Sequence, residues 1–289
     1  MIIDSHAHYA HEMYEGEFSY LDVAEEGYCI SHSDRRGMFE RMRECGITAF
    51  IEAATSFKRH EEQRALQAAH RGYVLFSAGL HPKECAITPF KHKDKLSQNA
   101  SELDAIAIGE TGLDYSMPRP KQYRFRQKRW FRYQIKLADE LKLPLILHVR
   151  DADADALKIL KEHKRILHGG VAHCFHGDTA TAMEYINLGF TLGIGSKVLE
   201  DNKAMHEAIK CVPLSSIIAE TDAPYLRPDI SHIEASNRQK KKARNSSLIL
   251  PSVITKIAEL RGENRDDVES AIYENTLRAF GISDRKAGE

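Results

Sequence analysis

Short apolar runs alternate with longer helical patterns along this chain, and the alternation constrains the fold more than any other feature. Eight such cycles follow one another within the 289 residues. Strands that alternate with helices of about 10 or more residues form βαβ units, whose strands run parallel. Eight units in a chain of this length predict a closed (β/α)₈ TIM barrel, with a doubly wound open sheet as the alternative.

The apolar runs predict the strands, and the amphipathic stretches between them predict the helices. We expect strands at residues 2–5, 47–53, 73–79, 104–109, 144–149, 169–173, 189–193 and 216–220. We expect helices near residues 33–45, 57–71, 92–101, 121–141, 151–164, 178–187 and 200–211, with additional C-terminal helices near 247–261 and 265–280. Asp151 and Asp178 each precede a predicted helix, and both are expected to cap it. No low-complexity segment or Pro/Gly/Ser-rich linker divides the chain, so residues 1–289 are predicted to form a single domain.

The composition indicates a globular protein without a targeting or membrane segment. A hydrophobic content of 42% can fill a sizeable core. No apolar run approaches the roughly 18 residues of a membrane span, and the first residues lack the pattern of a signal peptide. The five cysteines are scattered without a Cys-x-x-Cys pair, which favours reduced thiols. These features together predict a cytoplasmic protein.

Two histidines close the first predicted strand, in the stretch Ile2-Ile3-Asp4-Ser5-His6-Ala7-His8. Successive side chains of a strand alternate between faces, so His6 and His8 project to one side about 7 Å apart and can bind one metal ion. Two such histidines also occur by chance on an exposed strand. The metal hypothesis gains weight because four more potential ligands each stand at or just past the end of another apolar run. These are Glu110, His148, His173 and Asp222.

Four histidines and two carboxylates exceed the needs of one tetrahedral site with an open position. They suit two divalent ions that share a bridging carboxylate and a bridging water. We expect Glu110 to be the bridge. The first ion is predicted on His6, His8, Glu110 and Asp222, and the second on Glu110, His148 and His173. Imidazole ligands favour Zn, Mn, Ni or Fe.

Several motifs in this order resemble those of the TatD-like metal-dependent deoxyribonucleases of the amidohydrolase superfamily. The resemblance spans nearly the whole chain and implies a TIM barrel, divalent metals on the six residues above, Mg among them, and phosphodiester hydrolysis. The motifs are Ile3-Asp4-Ser5-His6-Ala7-His8, Gly79-Leu80-His81-Pro82, Ile108-Gly109-Glu110-Thr111-Gly112-Leu113-Asp114-Tyr115, Leu147-His148-Val149-Arg150-Asp151-Ala152, His173-Cys174-Phe175 and Glu220-Thr221-Asp222-Ala223-Pro224-Tyr225-Leu226.

The departures from the family pattern lie away from the predicted ligands. His176 replaces a small residue, residues 193–198 lack a Thr-Phe-Lys-Asn pattern, and Arg-Asn-Glu-Pro becomes Arg244-Asn245-Ser246-Ser247. Three hypotheses therefore stay open. They are a nuclease or phosphodiesterase, an amide or ester hydrolase such as an aminoacyl-tRNA deacylase on the same dinuclear site, and a metal-holding protein without turnover. The intact ligand set argues against the third.

Catalytic and substrate-binding roles can be assigned to several residues. Asp222 is expected to ligate a metal and to accept the proton of the attacking water, because no other carboxylate of the motifs stands beside the bridging hydroxide as a general base. His81 could contact a leaving group or a phosphate oxygen, or could support the site from behind. Arg150 could hold a phosphate, or could pair with Asp114 or Asp151.

Positive charge is concentrated in two runs of an otherwise neutral chain, whose formal net charge is −1. Residues 119–132 and 238–244 each follow a strand that supplies a ligand, so both runs should start at the rim above the metals. Aromatic residues beside them could stack unpaired bases. The pattern predicts a single-stranded DNA or frayed duplex substrate, attacked near a terminus, without a membrane or an obligate protein partner. The residues expected to contact it are Tyr115, Tyr123, Phe125, Tyr225, Lys240, Lys241, Lys242 and Arg244.

Overall fold

Eight parallel strands form a barrel in the computed structural model, which describes residues 1–24, 27–116 and 121–283. The strands are β1 (Ile2–Ala7), β2 (Phe18–Val23), β3 (Tyr28–Ser33), β4 (Ile47–Glu52), β5 (Val74–Ala78), β6 (Ala107–Asp114), β7 (Leu145–Arg150), β8 (Gly170–Ala172), β9 (Phe190–Ile194) and β10 (Ile217–Ala219). The barrel strands follow one another in the order β1-β4-β5-β6-β7-β8-β9-β10, and β2 and β3 form a separate pair.

Helices connect the barrel strands and cover the outside of the barrel. None of the helices in the described ranges is long and apolar enough to cross a membrane. The α-helices are α1 (Arg35–Glu44), α2 (His60–Ala69), α3 (Pro82–Cys85), α4 (Lys93–Glu102), α5 (Lys121–Leu141), α6 (Asp153–Glu162), α7 (Thr179–Ile186), α8 (Lys203–Cys211), α9 (Asn237–Lys242), α10 (Leu250–Arg261) and α11 (Arg265–Phe280).

The first and last strands meet through the residues that follow them. The Asp222 N–H donates to the His6 carbonyl at 2.9 Å, and the His8 N–H donates to the Ala223 carbonyl at 2.8 Å. The other neighbours pair in parallel register, as in Ile146 beside Val171. The TIM-barrel prediction is therefore confirmed, and each of the eight predicted strands is present.

Two apolar layers stabilise the barrel. One side chain from most strands points inward below the site, and Phe280 and Ile282 close this inner layer from the C-terminal end of the chain. The larger layer lies between the strands and the surrounding helices, where each strand contributes its alternate side chains. The inner layer comprises Ile3, Ala49, Ile51, Leu75, Ala107, Ile146, Val171 and Ile218, beside the closing pair. Because this layer is filled, a substrate can reach only the carboxyl end of the strands.

The antiparallel hairpin of β2 and β3 was not predicted from the sequence. Its register runs from Phe18 opposite Ser33 to Val23 opposite Tyr28. It is attached to the barrel through a backbone hydrogen bond of 2.9 Å from the Leu21 N–H to the Arg244 carbonyl. The hairpin therefore links the segment after β1 to the segment after β10.

Two local predictions were wrong. The strand expected at 104–109 begins later and continues through Glu110 to Asp114, because β7 pairs with it that far although its polar side chains end the apolar run. Asp151 does not cap α6. It has a φ of +53°, and Ala152 occupies the cap position without a side-chain hydrogen bond. Asp178 accepts a hydrogen bond from the Thr181 N–H, so the second cap prediction is confirmed.

Candidate metal centre

The six predicted ligands meet at the carboxyl end of the barrel. His6, Glu110 and His148 lie within their strands, whereas the other three lie just beyond the end of theirs. His6 is in β1, His8 one residue after it, Glu110 in β6, His148 in β7, His173 directly after β8 and Asp222 after β10. Their convergence follows from the fold, since parallel strands of a barrel all end at one face.

Glu110 Oε1 lies at the centre of a first group of donor atoms. His6 Nε2 is 2.6 Å from this oxygen, and His8 Nε2 is 3.4 Å from it. His8 Nε2 also lies 3.1 Å from Asp222 Oδ1, and His173 Nε2 lies 3.9 Å from Glu110 Oε1. One ligand atom from each of His6, Glu110, His173 and Asp222 lies within 4.8 Å of all the others. Such a cluster of nitrogen and oxygen donors could hold a divalent cation.

Polar contacts on the far side of two rings favour lone pairs that point into this group. His8 Nδ1 lies 2.9 Å from the Ala53 carbonyl, which can only accept, so this nitrogen carries the proton. His173 Nδ1 lies 2.9 Å from Glu220 Oε1, a close contact with a carboxylate that lacks hydrogen-bond geometry. The neutral form of each ring therefore presents an unprotonated Nε2 to the centre, as a metal ligand requires.

Glu110 Oε2 faces a second group. His81 Nε2 lies 3.5 Å from this oxygen, and His148 Nδ1 lies 3.7 Å from it. Beyond them, Asp114 Oδ2 lies 3.6 Å from His148 Nε2, and neither atom has a hydrogen-bond partner among the described residues. The two oxygens of one carboxylate thus face different sets of imidazoles. This is the arrangement expected of a bridging ligand.

His81 differs from His8 and His173 in which ring nitrogen carries the proton. Its Nδ1 accepts the Lys83 N–H at 3.0 Å, so in the neutral ring the proton lies on Nε2, the nitrogen that faces Glu110 and His148. Burial lowers the pKa of His81 to about 3, so the ring is neutral at pH 7. An Nε2 that carries a proton cannot ligate a metal. His81 therefore presents a hydrogen-bond donor to the site.

The two carboxylates of the first group are held ionised, which favours binding of a cation. Burial raises the pKa of the Glu110 carboxyl, but the neighbouring histidines outweigh burial and hold this pKa well below its usual range. The pKa of Asp222 is also lowered, against burial, by His8. Burial lowers the pKa of His8, whereas its contacts with both carboxylates raise it well above the ordinary value. The pKa of His173 is raised to about 9 by a neighbouring carboxylate, against burial. Protons on these two rings balance the carboxylates, and the same balance fits a divalent ion.

Comparison with known proteins identifies the family. The family model of the TatD related DNases matches residues 3–281. The chain belongs to the TatD-related DNase family. The 3'-5' ssDNA/RNA exonuclease TatD of Pantoea ananatis is 30% identical over 252 residues, which cover 86% of this chain and 94% of the relative. The protein of the same name from Cronobacter sakazakii is 32% identical over 253 residues, covering 86% and 92%.

Solved structures show the same fold. The TatD homologue YjjV of Escherichia coli superimposes with a TM-score of 0.80 at 24% identity, covering 98% of each chain. A TatD-family hydrolase of Entamoeba histolytica gives a TM-score of 0.78 at 18% identity, again covering 98% of each chain. Both structures therefore share the barrel of this TatD-family chain.

Residues predicted to contact the substrate lie at different depths in this TatD-family barrel. His81 faces the centre directly. Arg150 is exposed at the end of β7 and forms no ion pair among residues 1–24, 27–116 and 121–283, so the alternative role, a pair with Asp114 or Asp151, is not observed. The Tyr115 hydroxyl donates to Asp155 at 2.8 Å, which fixes this ring beside the mouth of the barrel.

The second basic run is only partly exposed. Lys241 and Lys242 are exposed on α9, whereas Lys240 Nζ donates to the Ser231 carbonyl at 2.6 Å. The Arg244 guanidinium lies 4.8 Å from the centre of the Phe18 ring, so this side chain packs on the hairpin. In the first run Arg119 lies outside the described residues. The other cations of that run are on α5, where Lys128, Arg129 and Arg132 contact Asp155, Phe90 and Glu162, as expected for a flanking helix.

Two carboxylates beside the centre were not assigned any role at the site from the sequence. Glu220 contacts His173 and Asp114 lies beside His148, each behind a predicted ligand. Both belong to motifs that the family resemblance already included. A signal was available, because metal-binding histidines usually donate their second N–H to a carboxylate or a carbonyl. The pairing itself requires the strand order and could not be deduced from spacing.

Proposed function

We propose that this protein is a metal-dependent nuclease that hydrolyses phosphodiester bonds of single-stranded nucleic acid from a 3' end. The observation that carries the proposal is the Glu110 carboxylate, whose two oxygens face separate groups of buried imidazoles. A bridged pair of divalent ions is the usual solution for in-line displacement at phosphorus. The names of the TatD relatives, which specify 3'-5' ssDNA/RNA exonucleases, support the same substrate class.

Two divalent ions are proposed, with Zn, Mn, Ni, Fe and Mg as candidates. When bound, such ions lower the pKa of a coordinated water and withdraw charge from phosphoryl oxygens. The donors on the Oε1 side of Glu110 fit one ion, and His148 stands on the Oε2 side for the other. His173 was expected on the second ion, but its Nε2 lies on the Oε1 side with the first group. The proposed ligands are therefore His6, His8, Glu110, His173 and Asp222 on the Oε1 side, and Glu110 and His148 on the Oε2 side.

The protein's own residues would move the protons. Asp222 Oδ1 faces the centre beside His8 Nε2 and is held ionised, so it can accept the proton of the attacking water. His81 presents its Nε2 proton on the opposite side of Glu110. We assign it the role of a donor to a phosphate oxygen as negative charge increases there.

The proposed path of the substrate crosses the exposed cations at the barrel mouth. Arg150 ends β7 directly above His148, and Lys241 and Lys242 lie on the segment that follows Asp222. Contacts of this kind neutralise the phosphate backbone without selecting a sequence. The exposed Tyr225 ring, which approaches His8 with ring centroids 6.0 Å apart, offers a stacking surface for the terminal base. Tyr115 and Arg244, which are held by other contacts, are assigned to shaping the mouth.

A substrate panel tests the proposal. Single-stranded DNA and RNA labelled at either end, duplex DNA, a small phosphodiester and an aminoacyl ester are incubated with the metal-loaded protein and with a chelator-treated sample. We expect stepwise shortening of single strands from the 3' end, lost on chelation and restored by added metal. Hydrolysis of the acyl substrate alone would replace the nuclease by an ester hydrolase on the same site. Cleavage that persists without metal would reject the mechanism.

A further inference from the structure

We propose that Glu220 is a positioning residue that fixes the orientation and the protonated nitrogen of His173, and that Gly193 is required to make room for it. The inference rests on the proposed function in one respect, since His173 is there a metal ligand. It concerns three residues that lie in or directly after three consecutive strands. His173 follows β8, Gly193 lies in β9, and Glu220 follows β10.

Glu220 is buried, and only its Oε1 atom makes polar contacts with the described residues. This oxygen lies 2.9 Å from His173 Nδ1 and also accepts the backbone N–H of Cys174. A carboxylate oxygen this close to a ring nitrogen favours the tautomer that carries its proton on that nitrogen, as carboxylates behind metal-binding histidines do. The Nε2 lone pair of the neutral ring then points toward Glu110. The hydrogen bond from the Cys174 N–H holds the Glu220 carboxylate in place beside the ring.

The contact spans an entire strand. Neighbouring strands lie about 4.8 Å apart, so a side chain from β10 that reaches a residue after β8 must cross over β9. Gly193 is the β9 residue beneath the crossing. A Cβ atom built at this position would lie 2.0 Å from Glu220 Oε2 and 2.6 Å from its carboxyl carbon. Any other residue at 193 would displace the carboxylate, although the φ angle of Gly193 would permit a side chain.

The second carboxylate oxygen supports the same interpretation. Glu220 Oε2 is buried without a hydrogen-bond partner among the described residues, in the space that the missing Cβ of Gly193 leaves. A buried oxygen without a partner is unfavourable for stability. Its presence is understandable where the carboxylate is retained for the ring that it orients.

The experiment combines zinc binding with the state of the His173 ring in the full chain. Zinc affinity is measured by calorimetry, and long-range ¹H–¹⁵N NMR identifies the protonated nitrogen in the zinc-loaded protein, with the His173 signal assigned from His173→Gln. In the parent we expect a proton on Nδ1. Glu220→Gln, whose amide can donate to Nδ1 and so allow the other tautomer, should weaken zinc binding about 10–100-fold. Gly193→Ala should do the same.

A double variant and a matched glycine separate positioning from general disruption. Because both changes act on one contact, Gly193→Ala combined with Glu220→Gln should lose no more affinity than the worse single variant. Gly195→Ala adds the same methyl group to the segment after β9, where its nearest contact is the Glu220 carbonyl at 3.2 Å, and should bind zinc within a few-fold of the parent. If Gly193→Ala does not fold, the nearly isosteric Glu220→Gln carries the test alone.

The outcomes distinguish this inference from the proposed function. A parent that binds neither zinc nor any of the other candidate ions overturns both. A parent that binds zinc while His173 lacks the Nδ1 proton overturns the inference alone, and so does a folded Glu220→Gln variant with parental affinity and an unchanged His173 signal.

Discussion

Glu110 Oε1 and His6 Nε2 lie 2.6 Å apart in the part of the barrel mouth that is closed to solvent. The other carboxylate oxygen faces His81 and His148. Replacing the carboxylate with an amide should therefore disturb both groups of donors. We expect Glu110→Gln to lose metal from both positions, by more than the roughly 10–100-fold that loss of a supporting residue costs.

Elemental analysis of metal-reconstituted protein measures this loss directly. Glu52→Gln is the matched control, because Glu52 is also a buried carboxylate at the end of a barrel strand but accepts the Tyr9 N–H instead of facing the centre. It should retain its metal. Two ions per chain in Glu110→Gln would exclude a bridging role.

Metal affinity should increase with pH. The raised pKa values of His8 and His173 mean that both rings hold a proton on the metal-facing side at pH 7, and an entering ion must displace these protons. Affinity is thus greatest where the rings are neutral and is lost as the pH falls. Between pH 6 and 8 we expect the apparent Kd to fall with each added pH unit. The fall per pH unit should be about tenfold if binding releases one proton and about 100-fold if it releases two.

Calorimetry in two buffers of different ionisation enthalpy counts the released protons. The Asp222 and Glu110 carboxyls, whose pKa values are lowered, contribute none in this range. A Kd that does not depend on pH would show that these histidines do not ligate the metal.

Asp222→Asn should separate proton acceptance from metal binding. The amide keeps the shape and one oxygen near His8, but it is a far weaker base. We expect kcat on single-stranded DNA to fall about 10²-fold or more while the metal content is maintained. Activity and metal content are measured on the same sample. If both are unchanged in this variant, another residue must be the general base.

His81 is predicted to act as a donor and not as a ligand. His81→Phe removes the Nε2 proton, and loss of one donor of this kind lowers kcat by about 10²–10³-fold. His81→Gln retains an N–H and should recover part of this loss. Both variants should bind metal within a few-fold of the parent. Loss of one ion in His81→Phe would instead make His81 a ligand.

The exposed lysines of α9 are predicted to bind the backbone of the substrate. Changing Lys241 and Lys242 to alanine should raise KM for single-stranded DNA and reduce the slope of log affinity against log salt by about 1.4, or about 0.7 for each phosphate that is no longer neutralised. Hydrolysis of a small phosphodiester should not change. Lys164→Ala with Arg165→Ala removes the same charge from exposed positions after the last turn of α6, remote from the mouth. Equal effects of the two pairs would make α9 an ordinary charged surface.

The sequence predicts the barrel because its strands are buried on both faces and therefore appear as continuous apolar runs. The same logic misplaced the strand that contains Glu110, since its polar residues face the site and interrupt the run although hydrogen bonds to β7 continue. The hairpin escaped prediction for a related reason. Strand β3 is half-buried, and β2 mixes polar with aromatic residues, as in Phe18-Ser19-Tyr20.

The sequence predicted the parts of the candidate site that a single residue can indicate. It did not predict the contacts that depend on two residues from different strands. A histidine or carboxylate at a strand end is visible in the sequence, as with His173. Its partner Glu220 comes from a strand two positions away, and that relation exists only after the barrel closes. Local contacts account for the remaining differences, since the binding of Lys240 to Ser231 depends on how residues 226–247 fold.

Barrel closure between the first and last strands has a consequence for synthesis of the chain. His6 and His8 are made first, but the Asp222 backbone that pairs with His6 and the Ser247 hydroxyl that donates to Asp4 at 2.6 Å are made much later. The donor set is therefore incomplete throughout most of translation. A nuclease of the kind proposed would acquire its complete donor set only after residue 222 has been made and has paired with β1. We therefore expect the chain to be inert during most of its own synthesis.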